Sequence, residues 1–296
     1  MYMIRGMYRK LCLRSLSTSA SLYSAKQPRF AQTLQETGKP ALTKPQEIRK
    51  PIGLDAPSTL NAEAETKGRS LAGSIRSFFS EDSIEKRRDS INYDITHSPF
   101  YESKSFANTK GKIFTPPVSY FKAEKSKFFP DFLAKCLAGE ERYLHEMTKN
   151  KVSVIRLFST VSGEKCTETY FENEGKNYLS NGHSIFLNEF PLSEIIDINV
   201  PIGWLKSKLV KWSLGNLKKI VPKERQQNYL ILSEKSLPFD VKQKLMCDNR
   251  CSGYIYVVDY KGRIRWATSG YANEEERKLL WKCVSSLEKE LTSLKS

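Results

Sequence analysis

The sequence predicts an α/β sandwich with a mixed central sheet that ends in a β-hairpin and a C-terminal helix. Residues 254–258 are rich in aromatic and β-branched side chains, residues 259–262 have the Gly-containing form of a tight turn, and residues 263–268 alternate charged with apolar side chains. This pattern indicates a hairpin. Its first strand is expected to be buried on both faces, whereas Arg263 and Arg265 are expected to be half-exposed on an edge strand at the rim of the sheet.

A helix is predicted directly after the hairpin. Asn273 can cap its N-terminus, and Glu274 to Glu276 place acidic side chains in the first turn, where the helix dipole favours them. One face of this helix is apolar and consists of Leu280, Val284, Leu287 and Leu291. A hairpin followed by a packing helix resembles the end of a thioredoxin-like domain, so the predicted fold is a thioredoxin-like sandwich.

Strands and helices alternate in the chain before the hairpin. Strands are predicted over residues 151–158, 194–200 and 228–232, and helices over residues 131–150, 204–221 and 238–247, with one more helix beginning near residue 162. This order is typical of an α/β sandwich with a mixed sheet. Since no Gly-rich phosphate loop follows any of these strands, nucleotide chemistry is not expected.

The N-terminus has the composition of a targeting segment. The whole chain has 48 basic and 33 acidic residues among 296, yet residues 1–35 contain six basic residues and no acidic one. They are also rich in Ser and lack the uninterrupted apolar run of a secretory signal, which is typical of a mitochondrial transit peptide. A disordered basic tail is the alternative. In a reducing compartment the six scattered cysteines are expected to be free thiols.

Residues 36–91 are predicted to be a linker or disordered arm, because they contain several prolines and few large apolar residues, with a helix expected over residues 70–91. Residues 92–296 are assigned to the thioredoxin-like domain with an extended N-terminal segment. This segment interleaves aromatic residues with lysines as far as Pro130. Such a pattern could stack on single-stranded nucleic acid. We favour the alternative, in which the rings anchor the segment to the side of the core.

Two motifs carry a resemblance to a known family. The first is Gly-Lys-Ile-Phe-Thr-Pro-Pro at residues 111–117, followed by Phe-Lys-Ala at 121–123 and Phe-Phe-Pro at 128–130. The second is Gly-Arg-Ile-Arg-Trp-Ala at residues 262–267, with Ser-Gly-Tyr-Ala at 269–272. With these motifs, the chain over about residues 98–290 resembles the fungal mitochondrial assembly factors for the membrane sector of ATP synthase.

The resemblance implies a thioredoxin-like fold and a peripheral protein on the matrix side of the mitochondrial inner membrane. It also implies a non-catalytic assembly factor, or chaperone, that binds newly made subunit a of the ATP synthase and promotes its association with the c-ring. RNA binding is ranked last, because no RNA-binding motif accompanies the lysines, and no nucleic-acid partner is predicted.

The first alternative is that the protein is an enzyme, namely a thioredoxin-like oxidoreductase. Thioredoxin-like redox domains carry a CxxC motif at a helix N-terminus, where the dipole lowers the thiol pKa, and a cis-proline before the hairpin. The matching places here hold only Cys166 and the sequence Cys-Ser-Gly at residues 251–253. Both halves of a redox site are therefore missing, and no catalytic residue, cofactor or metal site is predicted.

A thiol-redox or copper-handling protein that uses Cys247 and Cys251 is the second alternative. Cysteines four residues apart can meet on one helical face and bind a soft metal such as Cu(I). Copper chaperones of this fold, however, carry their pair after the first core strand and add a distant histidine. Here the pair precedes the hairpin, and the three histidines of the chain, His97, His145 and His183, form no ligand-spaced cluster. We therefore favour incidental cysteines.

The basic helix predicted over residues 204–221 is the candidate working surface. It contains five lysines, no acidic residue and two apolar rows, whereas one core face needs only one row. A wide apolar arc with lysines suits a membrane interface or a hydrophobic partner helix. Peripheral membrane contact is expected, because no run approaches the roughly 20 apolar residues that span a bilayer. The predicted partner-binding and membrane-binding residues are Trp204, Leu205, Lys208, Leu209, Lys211 and Trp212.

Overall fold

A computed structural model of the chain describes residues 41–60, 99–173, 175–201 and 215–295. The strands within these ranges are β1 Gln46–Glu47, β2 Thr59–Leu60, β3 Phe114–Thr115, β4 Lys127–Phe128, β5 Asp131–Cys136, β6 Glu141–Tyr143, β7 Val152–Phe158, β8 Glu172–Asn173, β9 Lys176–Asn177, β10 Ser193–Asn199, β11 Tyr229–Ile231, β12 Gly253–Val258 and β13 Arg263–Ser269. The α-helices with complete bounds are α1 Pro99–Asn108, α2 Leu144–Thr148, α3 Val161–Glu168, α4 His183–Glu189, α5 Phe239–Lys244 and α6 Glu274–Lys295. Residues 215–220 are also helical, and 3₁₀ turns cover Lys223–Asn228 and Glu234–Ser236.

The main sheet has the strand order β2-β5-β11-β10-β7-β12-β13-β4, and β6 pairs with β5. Strand β7 lies at its centre, parallel to β10 and antiparallel to β12. Helix α3 connects β7 toward β10, the hairpin β12–β13 follows, and α6 ends the domain. This is the thioredoxin-like arrangement, and it confirms the predicted mixed-sheet α/β sandwich.

The central strands are buried because both faces of the sheet are covered. All seven residues of β7 are buried, and neighbouring residues alternate between two apolar clusters: Val154 belongs to one and Ile155 to the other. The cluster with Val154 also contains Leu280 and Leu287 of α6, as the predicted apolar face of that helix requires. A strand with apolar residues at successive positions is the pattern of a sheet covered on both sides. The predicted strands β7, β10, β11, β12 and β13 are confirmed within one or two residues.

The helix predicted over residues 131–150 is wrong. The structure places strands β5 and β6 there, joined by a turn at Gly139 with φ of +116°, before the short helix α2. In β5, Phe132, Ala134 and Cys136 are buried while the residues between them are more exposed, which is a period of two. Pairing with β11 and β6 therefore decides the conformation of this segment against its helical propensity.

Residues 41–60 differ from the expected linker. Ile48, Ile52 and Leu54 lie in the main core cluster, and Leu54 exchanges backbone hydrogen bonds of 2.8 Å with Phe128. Their apolar side chains are few and irregularly spaced, so no period in the sequence indicates this packing. The predicted transit peptide at residues 1–35 and the helix expected over residues 70–91 lie outside the described residues.

The aromatic residues of the extended segment anchor it to the core, as the favoured interpretation predicts. Phe114 and Phe129 are buried in the main cluster, and Phe129 packs edge-on against Tyr256 with ring centroids 5.2 Å apart. These rings are therefore not available for stacking on bases. Within the described ranges, none of the helices combines the length and the apolar composition that a bilayer crossing requires.

Arg265 is not half-exposed as predicted, because it is buried to 2% exposure. The pairing of β12 with β13 shifts register after Val257. Val257 pairs with Trp266 and Val258 pairs with Ile264, so that Arg265 is the extra residue of a bulge. A bulge re-aims a side chain. The Arg265 guanidinium reaches Glu290 of α6 at 2.9 Å and Asp259 at 3.2 Å.

We predict that Arg265→Leu lowers the free energy of unfolding by about 3 to 5 kcal/mol, because it leaves the buried Asp259 carboxylate without its charge partner. Arg263→Leu on the same strand is the control, since Arg263 is half-exposed and its loss should cost about 1 kcal/mol or less. Urea denaturation of both variants measures the difference. Equal losses would show that the buried ion pairs contribute nothing specific.

Candidate functional site

The N-terminus of α3 occupies the place where a thioredoxin-like redox domain carries its thiols. Thr160 caps this helix, since its hydroxyl accepts a hydrogen bond of 3.2 Å from the Gly163 backbone N–H. The same hydroxyl donates to the Arg250 carbonyl at 3.1 Å, and the Ser162 hydroxyl donates to the Cys251 carbonyl at 2.8 Å. The start of α3 is thus tied to the loop before β12 by hydroxyl groups instead of thiols.

The backbones of α3 and β12 touch at two glycines. A Cβ atom added to Gly253 would lie 2.0 Å from the Gly163 carbonyl oxygen, and one added to Gly163 would lie 2.4 Å from the Ser252 carbonyl oxygen. Only glycine allows so close an approach. The space between helix and strand at this place is filled by the protein's own backbone.

Cys166 lies on α3, one turn beyond Gly163, and is fully buried. Burial raises the pKa of its thiol to about 11, although a hydrogen bond with Tyr271 lowers this pKa in part. The thiolate is the nucleophile and the metal ligand of a cysteine. At neutral pH this thiol is therefore protonated and a poor nucleophile.

Residues 109–115, here called the covering segment, lie over this junction and bring the two sequence motifs together. The Ser269 hydroxyl accepts hydrogen bonds from the backbone N–H groups of Ile113 at 2.9 Å and Phe114 at 2.8 Å, and it donates to the Phe114 carbonyl. The Ser252 hydroxyl donates to the Gly111 carbonyl at 2.6 Å. The first motif is thus held by the strand end that contains the second.

A buried polar network fixes the covering segment to α6. The Lys112 ammonium forms an ion pair with Glu276 and donates a hydrogen bond of 2.8 Å to the Tyr170 hydroxyl. That hydroxyl donates to Glu276 at 2.6 Å and lies 3.0 Å from the Thr268 hydroxyl. Burial lowers the pKa of Lys112, although Glu276 counteracts this effect. Every member has a partner, which is the condition under which a buried network rigidifies a structure.

A shallow cleft lies on the other side of the covering segment. Its cavity volume is about 170 Å³, and Tyr101, Glu102, Ile113 and Asn249 are among its lining residues. Small-molecule sites are usually larger, from roughly 300 Å³. Glu102 is already used, because it accepts hydrogen bonds from the Arg250 guanidinium and backbone. The cleft is therefore smaller than a usual small-molecule site, and its buried carboxylate is already paired.

Comparison with known proteins decides the family. A family model described as ATP10 protein matches residues 32–287. The chain belongs to the ATP10 protein family. A relative from Saccharomyces cerevisiae named mitochondrial ATPase complex subunit ATP10 is 33% identical over 266 residues, which cover 88% of this chain and 93% of the relative. The relative of that name from Candida glabrata is 35% identical and covers 82% of this chain and 85% of its own length.

Among solved structures, the chain is similar to a DsbF homologue from Corynebacterium diphtheriae. The sequence identity is 14%, the TM-score is 0.38, and the match covers 58% of this chain and 93% of that chain. The matches to the ATP10 family confirm the resemblance that the motifs at residues 111–117 and 262–267 predict.

All six residues predicted for the working surface of this ATP10 family member lie at positions 202–214, outside the described residues. They are Trp204, Leu205, Lys208, Leu209, Lys211 and Trp212. The described end of the predicted helix has a packed side and an exposed side. Leu217 and Val221 pack with Phe158 and Tyr229 on the sheet, whereas Ile220 is 75% exposed.

Cys247 and Cys251 do not share a helical face, which the copper-binding alternative would require. Helix α5 ends at Lys244, and Met246 has a φ of +56°, which allows the backbone N–H of Cys247 to bond to the Lys242 carbonyl in a Schellman motif. Cys247 is therefore directed into the core, where burial raises its pKa to about 12, and Cys251 lies in the following turn. Across the described ranges, no three His, Cys, Asp or Glu side chains are placed to hold a metal ion.

Sequence reasoning missed the closed junction and the Lys112 network. Two Ser-Gly pairs, at residues 162–163 and 252–253, were the available signal for the junction, since glycine at both positions permits a backbone crossing. The Lys112 network joins residues from three distant parts of the chain, near residues 112, 170 and 268–276, and no local pattern indicates such a contact. The position of Glu276 in the first turn of α6 predicts only a favourable interaction with the helix dipole, and not its contact with Lys112.

We predict that Gly253→Ala destabilises the protein by about 3 kcal/mol or more, because the added methyl group meets the Gly163 carbonyl in a rigid backbone. Gly215→Ala is the matched control. Nothing lies within 4 Å of its added Cβ, and alanine is favourable in a helix by up to about 1 kcal/mol. Chemical denaturation should separate the two variants. A stable Gly253→Ala protein would contradict the close crossing.

We predict that iodoacetamide at pH 8 modifies Cys251 well before the other described cysteines. Burial raises the pKa of Cys251 too, but this thiol is half-exposed, whereas Cys166, Cys247 and Cys283 are buried and have pKa values of about 11 to 12. Mass spectrometry of peptides at successive times measures the order of modification. Rapid modification of Cys166 would contradict this assignment and indicate an accessible thiolate.

Proposed function

We propose that this protein is a non-catalytic assembly factor for the membrane sector of the mitochondrial ATP synthase. In this proposal it binds newly made subunit a and promotes its association with the c-ring. Membership of the ATP10 protein family supports the proposal, since the relatives are named mitochondrial ATPase complex subunits. The step to subunit a and the c-ring comes from the family resemblance of the two motifs.

The proposed location is the matrix side of the mitochondrial inner membrane, with peripheral contact. The acid-free basic composition of residues 1–35 supports import into mitochondria. The excess of basic residues in the rest of the chain, 42 against 33 acidic residues once those six are subtracted from 48, suits contact with an anionic membrane surface.

A non-catalytic role is supported by the junction of α3 with β12. A disulfide exchange enzyme needs an accessible thiolate at the helix N-terminus. At this place the chain has the Gly163 and Gly253 backbones in contact, and the nearest thiol, Cys166, is buried with its pKa raised to about 11. The alternative of a copper-handling or redox protein through Cys247 gains no support, because that thiol lies in the core.

The observation that carries the proposed partner surface is the exposure of Ile220. Leu217 and Val221 use the inner side of the helix end to pack on the sheet, so this row is not available to a partner. Ile220 is 75% exposed and follows Leu209 by eleven residues, which is about three turns of a helix. In the predicted helix the two residues share a face, so we propose that Leu205, Leu209, Trp212 and Ile220 form an outer apolar row for a partner helix.

We predict that Ile220→Glu reduces the recovery of newly made subunit a with this protein by about tenfold or more, as expected when an apolar contact residue is replaced by a charge. Leu209→Glu should have the same effect, because it belongs to the same proposed row. Both variants should be as stable as the parent. The measurement is labelling of mitochondrial translation products followed by affinity capture of the tagged protein.

Leu294→Glu is the matched control, because Leu294 is 61% exposed on α6 and lies outside the proposed surface. Lys208→Glu with Lys211→Glu adds the test of charge, and its effect on membrane binding should weaken with salt. Normal capture by the Ile220→Glu and Leu209→Glu variants would refute the helix as the partner surface. Equal loss in the Leu294→Glu control would show that the effect is not specific.

A further inference from the structure

The turn of the hairpin and the segment beside it form a continuous basic surface. Arg263 donates a hydrogen bond of 3.2 Å to the Ala123 carbonyl, and its guanidinium lies 5.6 Å from the centroid of the Phe128 ring. The Phe129 backbone N–H donates to the Gly262 carbonyl at 2.9 Å. These contacts bring two stretches of sequence together. The hairpin patch, as we call it, consists of Lys122, Lys125, Lys127, Lys261 and Arg263.

The side chains of the hairpin patch point outward because the neighbouring rings point inward. Phe129 is buried in the main cluster, and Phe121 and Phe128 pack against it. Lys122, Lys125 and Lys261 are exposed. A surface that binds single-stranded nucleic acid without sequence preference presents aromatic faces for stacking. This surface instead presents ammonium groups over rings that are already packed.

The charge of the hairpin patch is positive. Asp55 and Glu124 lie among its five cations, and Asp131 lines the adjoining cleft with Lys261, so that the local excess is two positive charges. Within the described residues, Lys127 is the member of the patch that has an ion-pair partner, Asp55 at 3.0 Å. The adjoining cleft, lined by Phe128 and Val258, has a volume of only about 80 Å³ and is too small for a ligand site of roughly 300 Å³. The hairpin patch is therefore a charged open surface and not a ligand pocket.

We propose that the hairpin patch is a contact surface for the anionic face of a phospholipid bilayer. Lysines near such a surface are attracted by its negative potential, each by about fivefold in affinity when about 1 kcal/mol is converted. The occupant is a membrane surface because the cations are spread over an open face, which matches many phosphate groups and not one. This inference deepens the proposed peripheral membrane contact and rests on it.

The position of the hairpin patch differs from that of the proposed partner surface. Val258, which precedes the hairpin turn, pairs with Ser153 near the start of β7, whereas Val221 packs with Phe158 at its other end. These two ends are roughly 17 Å apart along the strand. Binding of lipid at the hairpin end therefore leaves the described helix end free for a protein partner.

The test uses the full chain and vesicles of phosphatidylcholine with or without phosphatidylglycerol. Lys125→Gln with Lys261→Gln should weaken co-sedimentation with the anionic vesicles by about 25-fold, which is about fivefold for each lysine. The matched control, Lys165→Gln with Lys176→Gln, removes the same charge from exposed positions on α3 and β9, outside the hairpin patch, and should bind within about twofold of the parent. Binding of the parent should fall with rising salt.

Equal binding by the patch variant and the parent, or equal loss in the control, would overturn the proposal. Displacement by glycerol phosphate at matched ionic strength would also overturn it in favour of a site for one phosphate. Patch-dependent binding to single-stranded RNA that is tighter than binding to vesicles would assign the surface to nucleic acid instead.

The same assay separates this inference from the proposed function. A parent protein that does not bind anionic vesicles would overturn both the hairpin patch and the proposed peripheral membrane contact. Loss of binding only in a Lys218→Gln, Lys219→Gln variant would overturn the hairpin patch and leave membrane contact to the helix end. Failure to capture subunit a with vesicle binding intact would affect the proposed partner alone.

Discussion

The backbone contact between Gly163 and Gly253 determines how deeply α3 lies on the sheet, and the surrounding structure is built around it. With the helix at this depth, the Thr160 and Ser162 hydroxyls reach the carbonyls before β12, and Cys166 faces the interior next to Gly111. A cysteine or proline side chain would not fit at the crossing. The same geometry that holds the domain together therefore removes the space in which thiol chemistry would take place.

Buried charge is used in this protein for positioning. The ion pair of Lys112 with Glu276 joins the covering segment to helix α6, and that of Arg265 with Glu290 joins strand β13 to the same helix. Such pairs contribute little net stability over apolar packing, but breaking one partner is costly. They hold the covering segment and the edge of the sheet in one register. In the proposed function, this fold supports one binding surface at each end of β7.

The proposed division of the surface follows from this arrangement. One end of β7 carries the helix end with exposed Ile220, and the other carries the hairpin patch with its lysines. An apolar row suits contact with a membrane subunit that is not yet assembled. A basic face suits contact with the anionic bilayer in which that subunit lies. A binding platform of this kind needs no catalytic residue.

The sequence alone determined the elements whose hydrophobic period or composition is clear. These are the hairpin, the strands β7 and β10, and the apolar face of α6. It also predicted the family, through two motifs that meet where the Ser269 hydroxyl bonds to the backbone of Ile113 and Phe114. Tertiary structure decided what no local pattern contains. The segment at residues 131–150 became two strands because neighbouring strands offered hydrogen bonds, Arg265 turned inward because of a bulge, and residues 41–60 joined the core although their few apolar residues have no period. Partners outside the local segment contribute in each case, namely β11 for residues 131–150, Glu290 for Arg265 and Phe128 for residues 41–60, and no local pattern indicates them.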